Sequence, residues 1–295
     1  MLVLWVHLVR VNLQIVQMDP FAALFRHFSP RAQAFFAGNL CVTETFDAAG
    51  ERGYLHILRS GVLRMTAEGR DDVLLTEGAV ILFPRPHTHG FFPDPSTGAD
   101  LVCATIDLGS REGNPVGMSL PDLLVIPLAG IETLGPTLEL LLNEAFSDRE
   151  GRQVALDRLF EYLLVQIIRH AVAAKLVEAG VLAAFADARL ARAVVAMHET
   201  PQRIWTLDDL AQIAGMSRTS FACRFRELTG TTPMEHLARW RMTLAQVLLL
   251  QGKPVKSVAT KVGYDSAAAL TRAFGKLIGA SPRNWLADQR QSIPL

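Results

Sequence analysis

Two stretches of this 295-residue chain are variants of one another, and that repetition restricts the fold more than any other feature. LDDLAQIAGMSRTSFACRFRELTGTTP begins at Leu207, and VKSVATKVGYDSAAALTRAFGKLIGASP begins at Val255. Leu210 and Val258, Ala211 and Ala259, and Gly215 and Gly263 correspond at an offset of 48. Phe225 and Phe274, Gly230 and Gly279, and Pro233 and Pro282 correspond at 49, so one extra residue is expected in the second recognition segment. Self-similarity of this kind means one small unit built twice.

Each copy has the residue order of a helix-turn-helix. Thr206 can cap a first helix, with Asp209 returning the bond as a capping box. Leu210, Ile213 and Ala214 share an inward face, and the small Ala211 lets a second helix approach closely. Gly215 permits the positive backbone angle of a tight turn. Ser217 caps the next helix, whose Phe221, Phe225 and Leu228 form its core side. In the second copy Pro254 suits a first helical turn, Gly263 makes the turn, and Leu270, Phe274 and Leu277 supply the core stripe.

The outward side of each second helix is what could meet a duplex. The first presents Arg218, Thr219, Ala222, Cys223 and Arg226; the second presents Ser266, Ala267, Ala268, Thr271, Arg272 and Lys276. Arginine reads guanine edges bidentately in the major groove, whereas hydroxyls and methyls make weaker contacts. Ala267 to Ala269 allow close approach but discriminate little, so the first copy and Arg272 are expected to dominate base preference. Between the copies MEHLARWRMTLAQVLLL reads as one helix with Leu237, Trp240, Leu244, Val247 and Leu248 along one side. Seventeen residues span roughly 25 Å. Such a rod could hold two reading helices near ~34 Å apart, one turn of the duplex. Arg224, Arg226, Arg239, Arg241 and Lys256, with the helix N-termini, are the expected phosphate contacts.

Charge is segregated in the same sense. Residues 1–186 hold 14 basic and 21 acidic side chains, a balance of −7; residues 187–295 hold 15 and 8, a balance of +7. A neutral chain thus carries a basic C-terminal part able to attract a polyanion.

From Cys41 to Leu108 the texture changes to short strands. YLHILRSGVLRM, DVLLTEGAVILF and ADLVCATIDL are divided by Gly, Pro and acidic residues, as in a small barrel or sandwich. After Pro121, ETLGPTLELLLNEAF and RQVALDRLFEYLLVQIIRHAVAAKLVEAG read as helices. In the second, Leu156, Leu159, Phe160, Leu163, Leu164, Ile167 and Ile168 form one apolar stripe. It must pack either on the barrel or on the same helix of a second copy.

FPRPHTHGFF places His87 and His89 one residue apart at a strand rim. With Cys41 and Cys103 they could form a tetrahedral zinc site of two thiolates and two imidazoles. Oxidation or alkylation of a bound thiolate would then release the metal and reshape the barrel. Two other readings stay open: buried cysteines acting as small hydrophobes beside solvated histidines, and a metal-free pocket for a small organic effector. No P-loop, dinucleotide fingerprint, nucleophile elbow or zincin helix occurs.

Residues 187–291 resemble the DNA-binding domain of AraC-type transcription regulators, and VATKVGYDSAAALTRAFGKLIGASPRNW is similar to their second helix-turn-helix signature. The resemblance implies an N-terminal sensory or oligomerising domain. EGAVILFPRPHTHGF followed by LVCATIDL resembles the cupin domain of one AraC subgroup, in which cysteines and histidines fall at about these positions. Cupin enzymes carry a histidine pair, a carboxylate and a further histidine; here only His56 precedes residue 87 in the strands. A cupin metalloenzyme with an accessory nucleic-acid-binding domain is therefore the weaker alternative to a regulator.

The expected fold is a multidomain α+β chain. It comprises an N-terminal extension (1–17), a cupin-like β-barrel (18–122), a helical linker or dimerisation region (123–186) and an all-α double helix-turn-helix (187–295). The extension MLVLWVHLVRVNLQIV is shorter than the ~20 residues of a membrane span and lacks a signal peptide's cleavage site. Three cysteines are too few for a disulfide framework, so a reducing cytoplasm is the expected location. Duplex DNA, RNA polymerase, a second copy of the chain and a small-molecule or redox effector are the expected partners; zinc in the sensor domain is the one cofactor considered.

Overall fold

A computed structural model describes residues 19–26, 29–48, 52–108 and 115–291. The extension expected at 1–17 lies outside them.

Among the described residues nine strands make two antiparallel sheets. They are β1 (Arg31–Leu40), β2 (Glu44–Phe46), β3 (Gly53–Gly61), β4 (Leu63–Ala67), β5 (Val73–Leu75), β6 (Ala79–Phe83), β7 (His89–Pro93), β8 (Ala99–Asp107) and β9 (Leu124–Pro127). One sheet has the order β1-β8-β3-β6-β9 and the other β2-β7-β4-β5. Side chains alternate across a strand. Leu58, Ile81, Phe83, Leu101 and Cys103 therefore fill the space between the sheets with Leu63, Met65 and Phe91. Leu55, Ile57, Val80, Leu82, Val102 and Ala104 point the other way.

Helix α4 (Arg152–Ala173) lies against β1 on that second face, with α3 (Gly135–Ala145) packed on α4, while α1 (Pro20–Phe25) and α2 (Pro115–Ser119) pack on the helices that follow. The α4 stripe of Leu156, Phe160, Leu163, Leu164, Ile167 and Ile168 is buried in the core shared with the five-stranded sheet. Of the two sites left open for that stripe, the barrel is the one observed. Asp157 of α4 accepts a bond from the Ala34 amide at 2.8 Å, pinning the helix to β1.

The helical remainder comprises α5 (Val181–Phe185), α6 (Ala188–Glu199), α7 (Leu207–Ala214), α8 (Arg218–Thr229), α9 (Pro233–Leu250), α10 (Val255–Lys261), α11 (Ala267–Ile278) and α12 (Pro282–Gln291). All five residues of α5 are buried. It packs against α2, α4, α6 and α8, so one continuous apolar core runs from the sheet into the helical repeat.

Four details differ from the sequence expectation. Strands begin at Arg31, ten residues before Cys41, because RAQAFFAGNL alternates exposed and buried residues with alanines as the small inward side chains. Pairing of β9 with β6 carries the sheet past residue 122, into the stretch expected to be a linker. The extra residue of the second copy lies in its turn, since α8 and α11 are both 12 residues long. Leu277 is 43% exposed; Leu270 and Phe274 define a four-residue step that continues to Ile278, so Leu277 falls off the stripe.

Candidate functional site

Capping chemistry sets the first helix-turn-helix. Thr206 and Asp209 form the reciprocal capping box, and Gly215 terminates α7 at φ 66°. Ser217 caps α8 by accepting from the Ser220 amide at 3.2 Å. In the second copy Pro254 is itself the cap residue, one position earlier than expected, and Ser266 caps α11. Phe221 and Phe225 of α8, and Leu270 and Phe274 of α11, are fully buried.

That burial fixes which faces remain outside. Arg218, Thr219, Cys223 and Arg226 on α8 are exposed, with Ala222 half-buried. Ser266, Ala268, Arg272 and Lys276 around α11 are exposed, with Ala267 and Thr271 half-buried. The Thr271 hydroxyl donates to the Ala267 carbonyl at 2.8 Å, so its methyl is the more available group. The Ser266 side chain holds the Ala269 amide and serves the helix end first. Arg218 lies 3.6 Å from Asp208 on the solvent side, a pair weak enough for a phosphate or base to displace.

Of the five expected phosphate contacts, Arg226, Arg239 and Lys256 are exposed. The other two, Arg224 and Arg241, also make contacts within the protein. Arg224 pairs with Asp187 at 3.4 Å and Glu227 at 2.9 Å, tying α8 to the N-terminus of α6. Arg241 on α9 donates to the Pro201 carbonyl at 2.8 Å and the Arg203 carbonyl at 2.9 Å, and packs on the Tyr264 ring. It thereby locks the loop before α7 to the turn of the second copy. Gly263 completes the lock: at φ 85°, a Cβ there would stand 2.8 Å from Gln202 Cα and 2.9 Å from the Pro201 oxygen. With α9 touching both α8 and α11, the two reading helices are fixed to one support.

The barrel histidines are arranged differently from the expected quartet. His89 opens β7, and its ring meets that of His56 on β3, Nε2 to Nε2 at 2.9 Å. His89 Nδ1 donates to the His87 carbonyl at 2.8 Å. Its Nε2 is therefore the unprotonated acceptor, and His56 Nε2–H is the donor. His56 Nδ1 is then a bare lone pair, buried with no hydrogen-bond partner among the described residues. Phe83 stacks on His89 at 4.1 Å, Phe46 lies 4.8 Å from it, and Phe91 is 4.7 Å from His56. Burial lowers both pKa values, that of His89 to about 4 and that of His56 well below the usual range.

Cys103 is the cross-strand neighbour of His56, but burial pushes its thiol well up, so it stays protonated. Cys41 is exposed and bonds Asn39 at 2.8 Å. His87 sits in the loop with its Nδ1 donating to the Thr88 carbonyl. Cys41, His87, His89 and Cys103 thus do not converge. Among the described residues no three His, Cys, Asp or Glu side chains are disposed to hold a metal, so zinc does not fit the arrangement anticipated for it. His56, the one strand histidine before residue 87, is the partner missing from the expected quartet. Its place in YLHIL, in step with Tyr54 and Leu58 and out of step with Leu55 and Ile57, was the available signal that it faces the barrel interior.

The histidine loop is anchored outward as well. Arg85 donates to the carbonyls of Gly117 and Leu120 and pairs with Asp122, connecting the loop to α2. A second histidine pair joins α6 to α9: His198 and His236 meet through Nε2 at 2.9 Å, with Trp240 stacked on His198 at 3.8 Å.

A cupin barrel joined through a shared core to paired helix-turn-helix units defines a DNA-binding transcription regulator. Residues 19–173 match the family model described as Cupin, and residues 210–288 match a model described as Helix-turn-helix domain. The cupin match takes in β9, α3 and α4, beyond the boundary expected at 122. The chain is 29% identical over 283 residues to an uncharacterised HTH-type transcriptional regulator of Haemophilus influenzae, covering 88% of this chain and 93% of that one. It is 29% identical over 256 residues to a putative AraC-like transcription regulator of Streptomyces lividans, covering 77% and 84%. It is 28% identical over 253 residues to the RCS-specific HTH-type transcriptional activator RclR of Escherichia coli, covering 83% and 89%. The chain belongs to the AraC-type transcription regulators that carry an N-terminal cupin domain. It is a regulator and not an enzyme. No described helix is long and apolar enough to cross a membrane.

Proposed function

We propose that the protein binds a two-part DNA site through α8 and α11 and that an effector acting on the cupin side biases that binding. The observation carrying the reading is the Arg241–Gly263 lock, which leaves the exposed faces of both reading helices on one rigid α9 support. Arg218, Thr219, Ala222, Cys223 and Arg226 read one groove segment; Ala267, Ala268, Thr271, Arg272 and Lys276 read the next, with Ser266 closing the helix end. Lys256 and the N-termini of α8 and α11 hold phosphates, and the polycationic part of the affinity falls with salt. The regulator acts in the cytoplasm as a homodimer and communicates with RNA polymerase. Its effector is a small organic molecule and not an oxidant of the barrel thiol, a reading supported by the buried, protonated Cys103.

Selection from a random duplex pool tests this reading with the intact chain. The wild-type protein should return a two-part motif. Arg272→Ala should relax one position by about 1–3 kcal/mol while leaving the other part intact. An Arg272→Ala motif identical to the wild type would reject the assignment of α11.

A further inference from the structure

Ser217 caps α8 and Ser266 caps α11, and both helices are 12 residues long, so their outer faces compare position by position. Arg218, Thr219, Ala222, Cys223 and Arg226 of α8 correspond to Ala267, Ala268, Thr271, Arg272 and Gly275 of α11 at an offset of 49. The first copy thus has an arginine at each end of its face, where the second has alanine and glycine. We propose that α11 recognises thymine by its 5-methyl group, through the methyls of Ala267, Ala268 and Thr271, next to the base that Arg272 reads. The proposal deepens the reading of α11 given above and rests on it.

The start of α11 offers methyls where a reading helix could carry hydrogen-bonding groups. Ala267 and Ala268 have no polar side-chain atom. The Ser266 hydroxyl oxygen accepts from the Ala269 amide at 3.1 Å and is turned to the helix end. The Thr271 hydroxyl donates to the Ala267 carbonyl at 2.8 Å, which leaves its methyl as the available group. The N-terminal residues of a recognition helix are the ones that reach base edges. Thymine carries a methyl on its major-groove edge, and alanine and threonine methyls are the side-chain groups that contact it.

The shape of the face permits that contact. Residues four apart share a helix face, so Ala267, Thr271 and Gly275 form one row and Ala268, Arg272 and Lys276 the next. Beyond its own helix, a Cβ at Gly275 would meet only the Ala280 oxygen, 4.0 Å away, so the first row stays low along its length. Methyl contact fades within about 1 Å of added separation, and a low row lets the helix come close enough to make it. Arg272 and Lys276 are exposed in the adjoining row, where cations hold the helix against bases and phosphates. Leu270 and Phe274, fully buried, fix the rotation of α11 and so decide which rows face outward.

The test compares the affinity of the intact chain for its selected site with that for duplexes in which each thymine is replaced in turn by deoxyuridine. That change removes one methyl and keeps every hydrogen-bonding group of the base. Binding about threefold to fivefold weaker is expected at one or more thymines beside the position that Arg272→Ala relaxes, as for one methyl withdrawn from contact. Thr271→Ser keeps the hydroxyl on the Ala267 carbonyl and takes away only the protein's methyl; Ala267→Gly and Ala268→Gly do so at their positions. At a thymine that one of these methyls touches, the matching variant should shrink the difference to less than about twofold. No thymine in that part of the site, no loss with deoxyuridine at any of them, or a loss that all three variants leave at its wild-type size overturns the proposal. Relaxation by Arg272→Ala without any deoxyuridine effect removes this proposal alone, whereas an Arg272→Ala motif identical to the wild type removes α11 as a reader and the proposal with it.

Discussion

His56 and His89 share a single proton in a space lined by phenyl rings, and neither meets a carboxylate. An imidazole there can be neutral at low cost but charged only at high cost. In the folded state His89 titrates at about 4, as does buried His236 in the second pair, against 6.5 for an exposed ring. Between those values the unfolded chain takes up protons that the folded chain refuses. Stability is therefore complete above about pH 6.5 and is lost as the pH falls toward 4. For His89 alone the loss is on the order of 3 kcal/mol. Denaturant midpoints measured between about pH 7 and pH 4.5 should fall steadily, and His89→Phe should flatten the dependence. A midpoint independent of pH over that range would contradict the protonation scheme.

At the level of elements, the two helix-turn-helix units differ in how their turns are used. Gly215 and Gly263 both have positive φ, but only Gly263 is pressed against another segment's backbone. Gly263→Ala should cost about 2–4 kcal/mol, combining left-handed strain with displacement of the Pro201–Gln202 loop. Gly230→Ala, at φ 73° with nothing within 4 Å of the new methyl, should cost only about 1 kcal/mol. Equal losses in thermal unfolding would show that the turn does not bear on the loop. The contrast also explains what the sequence made legible. Caps, turns and apolar stripes are local, so Thr206, Ser217, Gly215 and the Phe221–Phe225 face could be read from spacing alone. The inserted turn residue, the exposure of Leu277 and the inclusion of β9 in the sheet depend on partners elsewhere in the chain. The His56–His89 pair is the extreme case, joining residues 33 positions apart on strands from different sheets. Cys41, His87, His89 and Cys103 are chemically suited to one metal but do not converge, whereas the parity of β3 puts His56 inside the barrel.

Across the whole molecule, the cupin and the DNA reader are connected by packing and not merely by a tether. The fully buried α5 lies against α2 on one side and α8 on the other, and Phe21 of α1 packs edge-on to Phe185 at 5.6 Å. A displacement of α2 would therefore meet α8 through a close-packed element. On the reader side, Arg241, Gly263 and α9 make the two helix-turn-helix units a single object, able to engage a duplex only where its two parts have the right phase. The most direct measurement compares the affinity of the intact chain for its selected site with that for the same site lengthened between its two parts by about five base pairs, half a helical turn. The rigid support predicts a loss of about tenfold or more, since one reading helix is left facing the wrong side of the duplex. Unchanged affinity would mean that the units move independently, or that only one of them reads DNA.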